Sequence, residues 1–373
     1  MVTGTRAEAG LLRPVVAALR ETVRTSVVAT GMHLEEEAGS TVEGLEDMGM
    51  PVAARVPMHA PDDTLAGHAR SVGQGIVALT DALEALDPDI VVVLGDRHEV
   101  LAAAVATVYS GRVLAHIHGG DVSGGLDDVT RHTVTKLAHL HFPATAASAE
   151  RILALGEEPW RVHVVGAPGL DTALHARLPP TSEVLHGLGM AEGPFILFLM
   201  HPDTSAPERA ADEVRRALEA TLAAGLPVVA VASNLDPGGR AVHAVLRRHQ
   251  DRLVLRPSLP HKEYLALLRG CQALVGNSSS GLIEAPSFGV PVVNVGDRQR
   301  GRERAANVID AAPEEVAAAL DRALYDAAFR SRCRDVENPF GDGRAGPRIA
   351  GVVATAAIDR RLLAKRLEVP RTE

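Results

Sequence analysis

Short runs rich in Val, Ile and Leu alternate with longer Ala/Leu-rich stretches along the whole chain. The runs predict strands at Ser26–Thr30, Ile90–Leu94, Val113–Ile117, Leu140–Pro143 and Val162–Val165. A second set follows at Phe195–Met200, Val228–Ala232, Leu253–Leu255, Ala273–Val275 and Val292–Val295. Because these runs are continuously apolar, each strand is expected to be buried on both faces, as in a parallel sheet under helices. Between them, Leu11–Leu19, Ser71–Leu86, Arg209–Ala223 and His261–Arg269 carry helical periodicity. The alternation predicts a doubly wound α/β fold. It breaks over Gly166–Gly193, where Pro168, Pro179 and Pro180 fall. Two Rossmann-like domains are therefore expected, at 1–168 and 169–348, with a C-terminal helix over Ile349–Leu367 and a tail (349–373 together) packing back on the first domain. Only Met1-Val2 precede Thr3-Gly4-Thr5-Arg6, so either the first strand is very short or the true start lies upstream.

Composition narrows the function classes. The 373 residues suffice for two cores, and 46% hydrophobic with 23% charged residues is a globular balance. No apolar run reaches the ~18 residues that span a membrane, and the N-terminus lacks a secretory h-region, so no membrane partner and a cytoplasmic address are expected. A net charge of −9 without a basic tract argues against nucleic acid. Cys271 and Cys333 show neither metal nor redox spacing.

Polar residues crowd the positions just after the predicted strands, where ligands bind in open α/β sheets. They include Thr3-Gly4-Thr5-Arg6, Gly31-Met32-His33, Gly95-Asp96-Arg97-His98-Glu99, His116-Ile117-His118-Gly119-Gly120-Asp121, Met200-His201-Pro202, Gly276–Gly281 and Gly296–Arg302. The site is expected in a cleft between the two halves. Asp96 reads as an acid/base residue, the orienter of one, or a helix N-cap. His116 and His118 share a strand face, and with Asp121 or the similar His139-Leu140-His141 they have the residue types of a zinc site. No ligating carboxylate at a recognised spacing completes that set, so no metal is assigned, and His118 is read as a proton donor or acceptor. Leu126, Val129, Thr133, Leu137 and Leu140 form a helical stripe; Asp127 and Arg131, four apart, lie on another side. They are either an exposed ion pair or a carboxylate oriented by arginine.

Gly276-Asn277-Ser278-Ser279-Ser280-Gly281-Leu282-Ile283-Glu284 opens a short helical pattern that Gly289 ends. Small residues at a strand-to-helix junction let N–H groups and hydroxyls surround a phosphate. Glu284, one turn in, is placed to accept bonds from ribose hydroxyls, so the layout points to a nucleoside diphosphate; the alternative is a serine-capped surface helix. His201 and the run from Arg298 to Arg304 are candidates for the same diphosphate.

In this order the motifs resemble the UDP-N-acetylglucosamine 2-epimerase family, and within it the hydrolysing branch of sialic-acid-type biosynthesis. Thr3-Gly4-Thr5-Arg6-Ala7-Glu8, Thr30-Gly31-Met32-His33-Leu34, Gly95-Asp96-Arg97, the His116–Asp121 and Arg131–His139 segments, His201-Pro202, Gly276–Gly281 and Arg298–Arg302 carry the likeness. It implies a GT-B-like fold, UDP held mainly by the second half, a UDP-sugar as ligand, and a homo-oligomer, either dimer or tetramer. It implies that Gly4, Arg6, His201, Ser278, Ser279, Ser280, Gly281 and Arg298 surround the diphosphate, and that Glu284 takes the ribose. Asp96 and Asp127 match acid/base positions, His33 and Arg131 line the sugar end, and Arg97 is a further substrate-binding candidate. Some members carry glutamate where this chain has His118, so His118 and Asp121 share the third acid/base assignment. The C2 proton of such a sugar has no adjacent carbonyl to acidify it. Elimination of UDP to a 2-acetamidoglucal, followed by water addition at C1, is therefore expected, and it needs no redox cofactor. The chain also lacks a G-x-G-x-x-G loop after its first strand, against a dehydrogenase. The same reaction on a UDP-2,4-diacetamido-trideoxyhexose of a legionaminic-type pathway, a non-hydrolysing epimerase, a GT-B glycosyltransferase and a UDP-sugar-binding protein without turnover are the alternatives.

Overall fold

A computed structural model describes residues 1–35, 41–58, 64–123, 125–203, 206–233 and 238–368. The chain divides into two compact units. Unit 1 comprises Met1–Asp121, Asp127–Thr172 and Phe340–Glu373; unit 2 comprises Val122–Leu126 and Ala173–Pro339.

Unit 1 contains β1 (Val2–Thr3), β2 (Val27–Thr30), β3 (Val52–Val56), β4 (Ile90–Leu94), β5 (Val113–Ile117) and β6 (Leu140–Phe142). The hydrogen-bonded orders are β1-β2-β3 and β4-β5-β6, all parallel, and β1 lies beside β4. Laid out this way the order is 3-2-1-4-5-6, the doubly wound pattern. Val91, Val92 and Val93 of β4 are each at most 3% exposed, which explains why a run of three valines is stable there. Each such burial contributes roughly 1.5–3 kcal/mol.

Unit 2 contains β7 (Ile196–Leu199), β8 (Val228–Val231), β9 (Val254–Arg256), β10 (Ala273–Gly276), β11 (Val292–Val295) and β12 (Val308–Ala311). One parallel six-stranded sheet runs β12-β11-β10-β7-β8-β9, the same topology, with its switch point between β7 and β10. The doubly wound α/β expectation therefore holds in both units.

Three element predictions need correction. Val162–Val165 is not a strand: it makes one bridge, His141 to Val162, before Gly166 turns the chain at φ +90°. β3 and β12 escape a search for continuous apolar runs because they are edge strands with half-exposed residues; β3 alternates Ala53 and Arg55 outward. The single helix expected over Ile349–Leu367 is two, Ala345–Thr355 and Arg360–Leu363, separated where Ala356 becomes extended and Asp359 caps the second.

The last part of the chain is fastened to unit 1 at several points. Asp171 caps the helix Ala345–Thr355 from 174 residues away, accepting from Ala345 N at 2.9 Å and Gly346 N at 2.7 Å. That helix packs along the helix Arg6–Arg20. Fully buried Arg161 donates to the carbonyls of Leu362 and Arg361 at 2.7 and 2.8 Å. Arg161 and Arg361 both lie over the Trp160 ring, 4.2 and 4.4 Å from its centroid. Lys365 donates to Lys136 O at 2.7 Å and pairs with buried Glu157 at 2.8 Å. Among the described residues no helix is long and apolar enough to cross a membrane.

Candidate functional site

In unit 1 the polar groups gather beyond β4 and β5. Arg131, on the helix Gly125–Leu137, is 1% exposed. One of its terminal nitrogens donates to Asp121 O at 3.0 Å and Asp128 Oδ1 at 2.6 Å, and the other to Asp96 Oδ2. Burial opposes the guanidinium charge, but Asp96, Asp121 and Asp128 outweigh it and hold the pKa above its ordinary value. The ion pair between Arg131 and Asp128 spans three positions of the helix, which lie as close as the four that separate Arg131 from Asp127. The apolar stripe also runs the other way. Leu126 and Val129 are 46% and 62% exposed, whereas Thr130, Arg131, Val134 and Thr135 face inward. Asp127 is half-buried near the start of the same helix.

His118 has φ +62°, a left-handed backbone that a side chain other than glycine adopts at a cost. Its Nδ1 lies 3.4 Å from Asp121 Oδ2, while Ser148 donates to Asp121 Oδ1 at 2.7 Å. The turn takes His118 out of the strand, so it does not share a face with His116 as expected. His116 is fully buried, donates from Nε2 to Gly95 O at 2.8 Å, and is pushed down to about 3 by burial. His139 Nδ1 accepts from Leu114 N at 3.0 Å, and His141 Nε2 lies 3.0 Å from Glu157. His116, His139 and His141 are thus each spent on a separate structural partner.

Beyond β1 and β2, Gly4 and Gly31 make room for Glu99. A Cβ on Gly4 would meet Glu99 Cδ at 2.9 Å, and one on Gly31 (φ +52°) would meet Oε1 at 2.4 Å. Arg97 grips that carboxylate through Nε at 3.1 Å and Nη2 at 3.2 Å. Burial alone would raise the Glu99 pKa, but Arg97 and His98 overcome it and bring it to about 2. Arg97, expected to touch substrate, is a support for Glu99. His33 is fully buried, its ring nitrogens 3.2 Å from Thr3 Oγ1 and 2.8 Å from Thr41 Oγ1, so it braces Thr3 instead of lining an open sugar site. Thr5 caps the helix Arg6–Arg20, Glu8 accepts from Gly4 N at 2.6 Å, and Arg6 is exposed on the first turn. Burial raises Glu8 to about 7. Thr5-x-x-Glu8 is a capping-box spacing, the sequence signal that would have identified it.

In unit 2 the switch point between β7 and β10 is bridged by Asn277. Its Oδ1 accepts from His201 N at 2.7 Å and its Nδ2 donates to His201 O at 2.9 Å. Gly276, before it, has φ +144°, and a Cβ there would lie 1.9 Å from Leu199 O, so only glycine fits. The Asn277 carbonyl accepts from Arg298 at 3.2 Å and from buried Gln299 at 2.9 Å. His201, Asn277 and Arg298 are thereby assembled into one loop cluster. Asn277 and Gln299 were missing from the sequence prediction, since an amide bonding main chain across a sheet leaves no local pattern.

Ser278 Oγ accepts from Ser280 Oγ at 3.1 Å and Ser280 N at 3.4 Å, and Ser280 Oγ also bonds Tyr264. Ser279 is the half-buried N-cap of Ser280–Ile283. The Gly281 α-carbon is pressed on β11, where a Cβ would meet Val292 Cγ1 at 2.9 Å. Glu284 is 4% exposed, and burial raises it to about 7 despite Arg302. Arg298 bonds the Asn277 carbonyl directly, while Arg302 and Arg304 both hold Gln299, which bonds the same carbonyl. A cavity of about 700 Å³ opens beside Asn277 and Arg298, lined by Asp203, Asp212, Glu213 and Asp297 among others. Arg209, Arg216 and Arg298 line it as well.

Two doubly wound α/β units with polar clusters beyond their strand ends define a GT-B-like fold. The family model for UDP-N-acetylglucosamine 2-epimerase matches residues 17–354, and the chain belongs to that family. It is 33% identical to UDP-N,N'-diacetylbacillosamine 2-epimerase (hydrolyzing) of Legionella pneumophila, covering 98% of this chain and 97% of that protein. It is 31% identical to polysialic acid biosynthesis protein P7 of Escherichia coli, covering 91% and 89%. The UDP-GlcNAc 2-epimerase from Neisseria meningitidis bound to UDP-GlcNAc superposes with a TM-score of 0.80 at 19% identity, covering 95% and 99%.

Proposed function

We propose that this protein is a hydrolysing 2-epimerase of a UDP-2-acetamido sugar, with UDP-N-acetylglucosamine as the substrate the sequence reading favours. The observation that carries the proposal is buried Arg131, on which Asp96, Asp128 and the Asp121 carbonyl converge. It fixes Asp96 at the end of β4 and sets the helix that presents Asp127. In this reading Asp96 and Asp127 are the acid/base carboxylates, and His118, held against Asp121, is the third proton-transfer group. Arg131 orients them. One base takes the C2 proton as the C1–O bond breaks and UDP leaves with the electron pair. Water then adds at C1 while an acid reprotonates C2 from the opposite face, giving free UDP and N-acetylmannosamine.

Unit 2 holds the leaving group in this proposal. Ser278, Ser279, Arg298 and the loop at His201 take the diphosphate, with Ser280 bonded to Ser278 behind them. Glu284, as the carboxylate, accepts the ribose hydroxyls. Cationic and hydrogen-bond stabilisation of departing UDP lowers the elimination barrier.

The Legionella relative favours a second reading, the same reaction on UDP-N,N'-diacetylbacillosamine. Incubation with each sugar in deuterated water, followed by NMR, tests both. Free UDP plus a 2-epimerised sugar carrying deuterium at C2 is the expected result, and the faster substrate decides between readings. UDP-N-acetylmannosamine as product would replace hydrolysis with simple epimerisation. No turnover of either sugar, with saturable UDP binding, would overturn the enzymatic reading.

A further inference from the structure

The serine loop contains three hydroxyls in a row, and their order of donation has a chemical consequence. A serine hydroxyl has one proton to give. Ser278 Oγ receives from Ser280 Oγ at 3.1 Å and from Ser280 N at 3.4 Å. Ser280 therefore spends its only proton on Ser278 and must accept from Tyr264. Tyr264 comes from the helix His261–Gly270, and no other hydrogen bond of its phenol is seen among the described residues. If the chain ran the other way, the phenol proton would be left without an acceptor, and Ser278 would donate inward to Ser280. The loop would then present lone pairs, which repel phosphate oxygens.

We propose that Tyr264 is a positioning residue that sets the direction of this hydroxyl chain, so that Ser278 keeps its O–H free to donate to a phosphate oxygen. Burial raises the phenol pKa above its ordinary value, so Tyr264 keeps its proton throughout the working pH range. Donation along a chain also polarises each successive hydroxyl, strengthening the last donor. The inference rests on the serine loop being the diphosphate site of the proposed function.

Calorimetric titration of wild type, Tyr264→Phe, Ser280→Ala, Ser278→Ala and Tyr264→Phe/Ser280→Ala with UDP and with uridine tests it. Tyr264→Phe is expected to weaken UDP about three- to tenfold, the size of one lost hydrogen bond, and to leave uridine binding within about twofold. The double variant should bind UDP no more weakly than Ser280→Ala, since both changes cut one chain. An equal loss for UDP and uridine would make Tyr264 a packing residue and overturn the proposal, as would unchanged UDP affinity in Tyr264→Phe. Should Tyr264→Phe fail to fold, Ser280→Ala carries the same contrast between UDP and uridine. If wild type does not prefer UDP to uridine, or Ser278→Ala binds UDP normally, the serine-loop reading itself fails.

Discussion

Replacing Arg131 with methionine removes a charge that is 1% exposed and takes a cationic partner from two carboxylates whose side chains are only 24% and 20% exposed, Asp96 and Asp128. It also leaves the Asp121 carbonyl without its donor. Deleting one partner of a buried ion pair costs roughly 3–5 kcal/mol. Because both carboxylates keep some water, the lower end, about 3 kcal/mol, is expected. Lysine at the same position retains the charge but cannot span all three acceptors, and should cost about 1.5–3 kcal/mol, one charge-assisted bond. The chain has a single tryptophan, Trp160, and it lies in unit 1, so its fluorescence in a urea titration reports this unit. The midpoint should fall at constant slope. Pairing Arg131→Met with Asp96→Asn should recover at least about 1 kcal/mol through coupling. A methionine variant within about 1 kcal/mol of wild type, or strict additivity with Asp96→Asn, would refute the reasoning that Arg131 organises this cluster.

Three further outcomes are expected. Asp96→Asn and Asp127→Asn should lose turnover while binding UDP normally; equal loss of UDP affinity would show the carboxylates are assigned to the wrong step. Glu284 is raised to about 7, so as pH falls below 7 the carboxylate that accepts ribose is lost, and UDP affinity should drop about tenfold per unit, a slope that Glu284→Gln abolishes in calorimetry. Glu8 is also raised to about 7 from 4.5, so the folded state binds its proton more tightly. The stability this confers is complete below about 4.5 and is lost as pH rises through 7. Glu8→Gln, which keeps an acceptor for Gly4 N, should flatten that loss by on the order of 2–3 kcal/mol in denaturation at pH 5 and pH 8.

The sequence made the parallel sheets legible because central strands such as Ile90–Leu94 and Ile196–Leu199 are apolar on both faces. The edge strands β3 and β12 were invisible to the same rule, since Ala53, Arg55 and Asp310 face water. Topology pointed to the residues at strand ends as candidates, but not to the partners they hold. Which carboxylate Arg131 holds, and that Glu99 fills the space left by Gly4 and Gly31, depend on contacts between distant segments. Helical periodicity even pointed the wrong way for Gly125–Leu137, where a buried arginine takes the place an apolar stripe would ordinarily occupy. Asn277 shows the same limit: a single amide is unremarkable in sequence, and only the adjacency of β7 and β10 gives it work to do.

The fastening of residues 340–368 onto unit 1 has a bearing on how the molecule comes to be made. A ribosome releases the whole of unit 2 before it supplies the helix Ala345–Thr355 that covers the helix Arg6–Arg20. Until then the apolar side of that first helix, including Leu12 and Val16, lacks part of its cover. The amino-terminal half on its own is thus an incomplete body, and cutting the gene after residue 172 should yield an aggregating product, whereas unit 2, nearly continuous in sequence, is free to mature first.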